Sequence, residues 1–203
     1  PQKELKPFAT SFVDGTRAAG TLRIRPSDLG VDLNNGEWTI ALWAKTNPVQ
    51  LETVARVPLL ELGSYYLVGE TSLTFGSWSQ DLTSFRCVGY DNRTTVSSIP
   101  GAHPFSLGDH EDWFFMVLRF KDNRIYWDTF MKESGHRQTS ATKAWTHPFR
   151  DNIFVGLYGW GNTWGGLIDE LLTLPYAATD AEIKAWYGMG APFYDPSPVI
   201  HEN

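Results

Sequence analysis

Apolar and polar positions alternate with a period of two along much of the chain. The stretch Glu37-Trp-Thr-Ile-Ala-Leu-Trp-Ala-Lys-Thr46 shows this best. Alternation sets Trp38, Ile40, Leu42 and Ala44 on one face and Thr39, Ala41, Trp43 and Lys45 on the other. Both faces are apolar at their centre, which predicts a central strand covered on two sides. Trp113-Phe-Phe-Met-Val-Leu-Arg-Phe120 and Arg124-Ile-Tyr-Trp-Asp-Thr-Phe130 flank Lys121-Asp122-Asn123. Asp and Asn tolerate the left-handed backbone of a tight turn, so this is the clearest hairpin. Further strands are expected at Leu22–Arg25, Tyr65–Phe75, Ser84–Tyr90, Asn152–Leu157 and Gly166–Leu174. One stretch changes period. Thr179-Asp-Ala-Glu182 reads as a capping box, Ile183, Trp186 and Tyr187 follow at helical spacing, and Gly188 and Gly190 end the run. A helix is therefore expected at 179–188, with its Ile183/Trp186 face on the edge of a sandwich.

Composition agrees with an all-β chain. Aromatics reach 14%, with nine Trp, eight Tyr and twelve Phe, and eighteen Gly with twelve Pro supply turns. A length of 203 residues suits one domain with a single core. The net charge of −6 offers no field that attracts nucleic acid or an anionic membrane. One Cys excludes an internal disulfide framework. No apolar run approaches the roughly 20 residues that a bilayer-spanning helix needs, so no membrane insertion is expected. Residues 1–9 read as an extended segment, 10–190 as the domain and 191–203 as a Pro-rich linker. With no initial Met, the expectation is a module tethered to other domains of a longer polypeptide.

These pieces resemble the laminin-G-like, concanavalin A-like jelly rolls. Phe12-Val-Asp-Gly15 is similar to that family's opening "FDG", and Trp38-Thr-Ile-Ala-Leu-Trp-Ala44 to its "FTIS-WVK" strand. Trp113-Phe-Phe-Met-Val-Leu118 resembles "W-HVA", and Arg124-Ile-Tyr-Trp-Asp128 its partner "L-LYVDG". Gly165-Gly-Leu-Ile-Asp-Glu-Leu171 is similar to the final "F-GLIDEV" strand, and Leu174–Tyr187 to the "Y-RALS-EEI" ending with its short helix. The matches come in the family's order over residues 10–188. One departure is Trp127-Asp128-Thr129, where the usual Gly after Asp is missing. The resemblance implies an all-β, two-sheet antiparallel jelly-roll sandwich with one short C-terminal helix. It does not imply one function, because this fold serves lectins, glycosidases, receptor modules and viral coat or tail proteins.

Catalytic patterns are absent from the sequence. There is no Glu-x-Asp-x-Glu cluster of the kind that points paired carboxylates into one cleft. Asp169 and Glu170 are adjacent, so on a regular strand they face opposite sides, and Asp109-His-Glu-Asp112 reads as a solvated loop. No G-x-S-x-G elbow, His-Glu-x-x-His helix, P-loop or Rossmann fingerprint occurs, and the five His lack metal spacing. Related jelly rolls imply another role for Asp14 and Asp169. A structural Ca²⁺ there joins the N-terminal segment to the last strand, its remaining oxygens coming from backbone and water. The competing reading is a salt bridge or hydrogen bond from Asp169 to a nearby loop.

Sugar recognition needs an aromatic ring beneath a pyranose and polar groups at its hydroxyls. Trp38, Trp43, Trp113 and Trp186 fit core positions, whereas three other places fit loops. Tyr158-Gly-Trp-Gly-Asn-Thr-Trp164 offers Tyr158, Trp160, Asn162 and Trp164, Trp78 follows a strand, and Tyr90, Asn92 and Arg93 cluster at a turn. The leading expectation is a non-catalytic carbohydrate-binding or adhesion module, its partner a glycan or cell-surface polysaccharide. It would belong to a larger secreted, cell-surface or virion protein such as a phage tail protein. A jelly-roll glycoside hydrolase or polysaccharide lyase, and a structural oligomerising virion module without ligand, are the alternatives.

Overall fold

Two antiparallel sheets account for most of the described residues in a computed structural model, which describes residues 22–46, 57–63, 71–77, 84–91, 94–98, 103–104, 112–140, 145, 147–149, 152–156, 164 and 166–190. The strands are β1 (Leu22–Ile24), β2 (Trp38–Lys45), β3 (Val57–Leu62), β4 (Thr71–Ser77), β5 (Ser84–Asp91) and β6 (Thr94–Ser98). There follow β7 (His103–Pro104), β8 (Trp113–Lys121), β9 (Arg124–Met131), β10 (Gly135–Ser140), β11 (Ile153–Val155) and β12 (Leu167–Leu174). A seven-stranded sheet has the order β1-β11-β3-β4-β5-β6, with β7 also paired to β5. A five-stranded sheet has the order β10-β9-β8-β2-β12. The sandwich expected from the sequence is the fold observed.

The alternation in β2 works as expected. Trp38, Ile40, Leu42 and Ala44 enter the core between the sheets, alongside Phe114, Met116 and Leu118 of β8 and Ile125 and Trp127 of β9. Leu60, Leu62, Leu73, Ile153 and Val155 meet them from the seven-stranded sheet. The opposite face of β2 is buried too, because Ala41 and Trp43 join Phe115, Val117 and Phe130 in a second cluster. The β8–β9 hairpin turns through Asp122 and Asn123 at φ of 50° and 56°, the pair of left-handed residues that a two-residue hairpin turn requires. Past the hairpin, Asp128 lies inside β9, which runs on to Met131 and pairs with β10. No turn follows Asp128, and so no Gly is needed there.

The single α-helix among the described residues, α1 (Asp180–Gly188), has the expected capping box: the Thr179 side chain accepts from the Glu182 amide, and Glu182 accepts from the Thr179 amide. Its place corrects the sequence expectation. Ile183, Trp186 and Tyr187 pack on the outer face of the five-stranded sheet, not on the sandwich edge. The cause is the apolar outer face of β2 and β8, which must be covered by something.

Candidate functional site

The glycine-flanked stretch after β11 is closed at its base. Gly156, at φ 76°, donates its amide to Leu59 O, and Trp164 donates its own amide back to Gly156 O at 2.8 Å. Residues 157–163 therefore span two backbone positions that hydrogen-bond to each other. Trp164 itself is a core residue: its side chain is 5% exposed and its ring meets Phe114 edge-on. Its Nε1 lies 3.4 Å from Leu167 O as a weak donor. This corrects the expectation that Trp164 is part of an exposed ring pair. Gly166 explains the close packing, since a Cβ there would sit 2.0 Å from Lys45 O and 2.8 Å from Trp164 Nε1.

Tyr158, Trp160 and Asn162, with Trp78, Asn92, Arg93 and Asp14, lie outside the described residues, as does the Tyr90 side chain. The backbone still sorts them. Ser77, after which Trp78 follows, pairs with Val57, and Gly156 bonds to Leu59, so both chain exits are at one end of the seven-stranded sheet. Asp91, which precedes Asn92, pairs with Thr71 at the other end. At about 3.3 Å per residue the length of β4 separates these ends by roughly 20 Å. Ser77 and Gly156 thus lie at one end of the sheet and Asp91 at the other.

Asp169 is half-buried in β12, and its Oδ1 accepts the amide of Glu170 at 2.7 Å. A bulge follows, because Asp169 pairs with Trp43 while Leu172 pairs with Ala41. Glu170 takes the extra place at φ 51°. Strict alternation of Asp169 and Glu170 is thus broken: Ile168 and Leu171 both pack on the inter-sheet core. Among the described residues, no group of three or more His, Cys, Asp or Glu is placed to hold a metal.

The sequence reading missed a buried charge network. Asp128 is 1% exposed, and its Oδ2 accepts from Arg119 at 2.8 Å. Its Oδ1 accepts from Gln138 at 2.9 Å and faces His136 Nε2 at 2.9 Å. Arg119 reaches on to Ala178 O at 3.0 Å and Asp180 at 2.7 Å, tying the start of α1 to the sheet. The Arg119 guanidinium holds the Asp180 carboxyl below its usual value, against a smaller upward push from burial. The available signal was Arg119 and Asp128 inside otherwise apolar strand patterns, which register puts on one face together with Gln138 of β10. Both Asp128 oxygens are thus engaged, one by Arg119 and the other by Gln138 and His136.

No protein-family model matches the sequence, and no curated protein sequence matches it. Solved structures do share the fold. The binding domain of botulinum neurotoxin serotype D matches with a TM-score of 0.57 and 10% identity, over 86% of this chain and 41% of that one. The receptor binding domain of botulinum neurotoxin mosaic serotype C/D gives 0.55 and 11%, over 83% and 40%. Trypanosoma rangeli sialidase gives 0.51 and 14%, over 75% and 22%. The chain thus spans about two-fifths of the neurotoxin domains it matches. What these structures share with it is the lectin-like jelly-roll fold. Among the described residues no helix is long and apolar enough to cross a membrane.

Proposed function

We propose that the chain is a non-catalytic carbohydrate-binding module, an extracellular, cell-surface or virion part of a larger protein. The observation that carries this reading is the match of 83–86% of the chain to domains described as binding or receptor-binding. The ionised groups buried beneath α1 support it, because Arg119 and Asp128 are spent on each other and on holding the helix. Trp160, Tyr158 and Asn162, which follow Gly156 in the chain, and Trp78, which follows Ser77, are the proposed ligand contacts. Tyr90, Asn92 and Arg93 form a second polar group at the far end. The test is binding of the intact chain to immobilised glycans, measured together with turnover of the same glycans. A glycosidase, the reading that the sialidase likeness favours, would cleave what it binds.

Calcium at Asp14 and Asp169 belongs to the same proposal, with a structural role. The half-buried Asp169 carboxylate on the last strand supports it, since Ca²⁺ takes oxygen ligands of this kind. Calcium at a hundredfold excess over Kd is expected to add about 2.7 kcal/mol of stability. A melting temperature unmoved by calcium and by chelator would remove the metal from the account.

A further inference from the structure

α1 covers only part of the outer face of the five-stranded sheet. Its start is tied to one end of β2 and β8, where the Ala178 amide donates to Thr39 Oγ1 at 2.8 Å and Arg119 donates to Ala178 O at 3.0 Å. Its last turn reaches Trp43, on which the Tyr187 ring stacks at a centroid distance of 5.7 Å. Met189 then caps the helix and is 72% exposed. One further row of outward positions lies beyond Trp43. Register pairs Leu167 of β12 with Lys45 of β2, and Lys45 with Trp113 of β8. Lys45 and Trp113 stand two residues from Trp43 and Phe115 of the outer cluster, and so face outward with them. Leu167 does too, because its neighbour Ile168 packs between the sheets.

Solvent reaches this row. Leu167 is 58% exposed, and Lys45 and Trp113 are half-buried. Trp113, expected in the core from the sequence, instead packs at the margin of the outer cluster and stays partly open. Among the described residues, no side-chain hydrogen bond or ion pair engages the Trp113 indole or the Lys45 ammonium. Asp112, next to Trp113, pairs with Lys132 at 2.6 Å just past the end of β9, so an ion pair flanks the ring.

The geometry points to this row as a sugar subsite, with Trp113 beneath the apolar face of a pyranose and Lys45 and Asp112 at its hydroxyls. The inference rests on the binding-module reading above and adds a contact on the other sheet from the ones proposed there. An indole gives a flat apolar surface at little entropic cost, and its Nε1 is a donor. The Lys45 ammonium has three donors, and the Asp112 carboxylate accepts at more sites than its bond to Lys132 uses. Size selects the class of ligand. The row crosses two strand spacings, about 10 Å, which suits a mono- or disaccharide. A stable protein interface covers roughly 800 Å² on each partner, far more than a single row supplies.

The experiment measures binding of the full chain to a panel of immobilised neutral and acidic oligosaccharides, with melting temperatures and sedimentation. The variants are Trp160→Ala, which removes the other proposed ring, and Trp160→Ala combined with Leu167→Glu or with Trp113→Ala. Trp160→Ala alone is expected to keep binding through the row. Adding Leu167→Glu should leave the melting temperature unchanged, since Leu167 is exposed, while its carboxylate claims Lys45 and lowers affinity about tenfold, a loss of about 1.4 kcal/mol. Adding Trp113→Ala is expected to lose at least as much. If that variant fails to fold, Leu167→Glu decides alone. Affinity unchanged by Leu167→Glu overturns the subsite, as does loss of all binding in Trp160→Ala, and in both cases the binding module stands. A wild-type dimer that Leu167→Glu dissociates without change in affinity also overturns it and makes the row a contact between copies. No glycan binding by wild type removes the module reading, and the subsite with it.

Discussion

Trp164 and Gly166 act as one packing unit. The indole fills the space beside Phe114, and it can do so because Gly166 lets the Lys45 carbonyl approach where any Cβ would collide. Removing the ring from a site this buried should cost about 3–5 kcal/mol of stability. Trp160, four residues earlier, is proposed as a ligand contact, so Trp160→Ala should leave the melting temperature near wild type. Chemical denaturation of both variants checks this: an undestabilised Trp164→Ala would contradict the packing role. The sequence reading treated the two tryptophans alike because both sit among glycines. Glycine marks a backbone that bends or lets another group approach, and Trp164 belongs to the second kind. Nothing in local sequence separates those two uses.

At the scale of elements, the apolar strands and the capped helix were legible, and the polar and irregular elements were not. β2, β8 and β9 announce themselves by apolar alternation, and α1 by Thr179 and Glu182. β10, with sequence Gly-His-Arg-Gln-Thr-Ser, carries no apolar face, since it is the edge strand of its sheet and its side chains are mostly exposed. β3 was missed because its bulge between Pro58 and Leu60 breaks the period. The bulge in β12 was hidden for a similar reason, with Glu170 in a left-handed position that Gly usually fills. The docking of α1 yields a further expectation. Asp128→Ala strands Arg119 and should cost about 3–5 kcal/mol. Asp180, whose pKa is depressed chiefly by its hydrogen bond from Arg119, adds stability above its ordinary value of 3.8, and that contribution is lost as pH falls below it. Urea denaturation against pH should therefore show Asp180→Asn weaker than wild type at neutral pH and level with it at about pH 2. A gap that persists in acid would place the effect elsewhere than in the ion pair.

The whole molecule presents two sheet faces with different uses. The outer face of the five-stranded sheet is covered by α1 over Trp43, Phe115 and Phe130. On the seven-stranded sheet the outward positions Glu61 and Thr74 pair in register and are buried, and the proposed binding stretches follow from its two ends. The most direct measurement is glycan-array binding by the intact chain, followed by chromatography of the bound glycan after prolonged incubation. The account predicts saturable binding to a subset of glycans that are recovered uncut. Cleaved glycan, or no binding across the array, would contradict it.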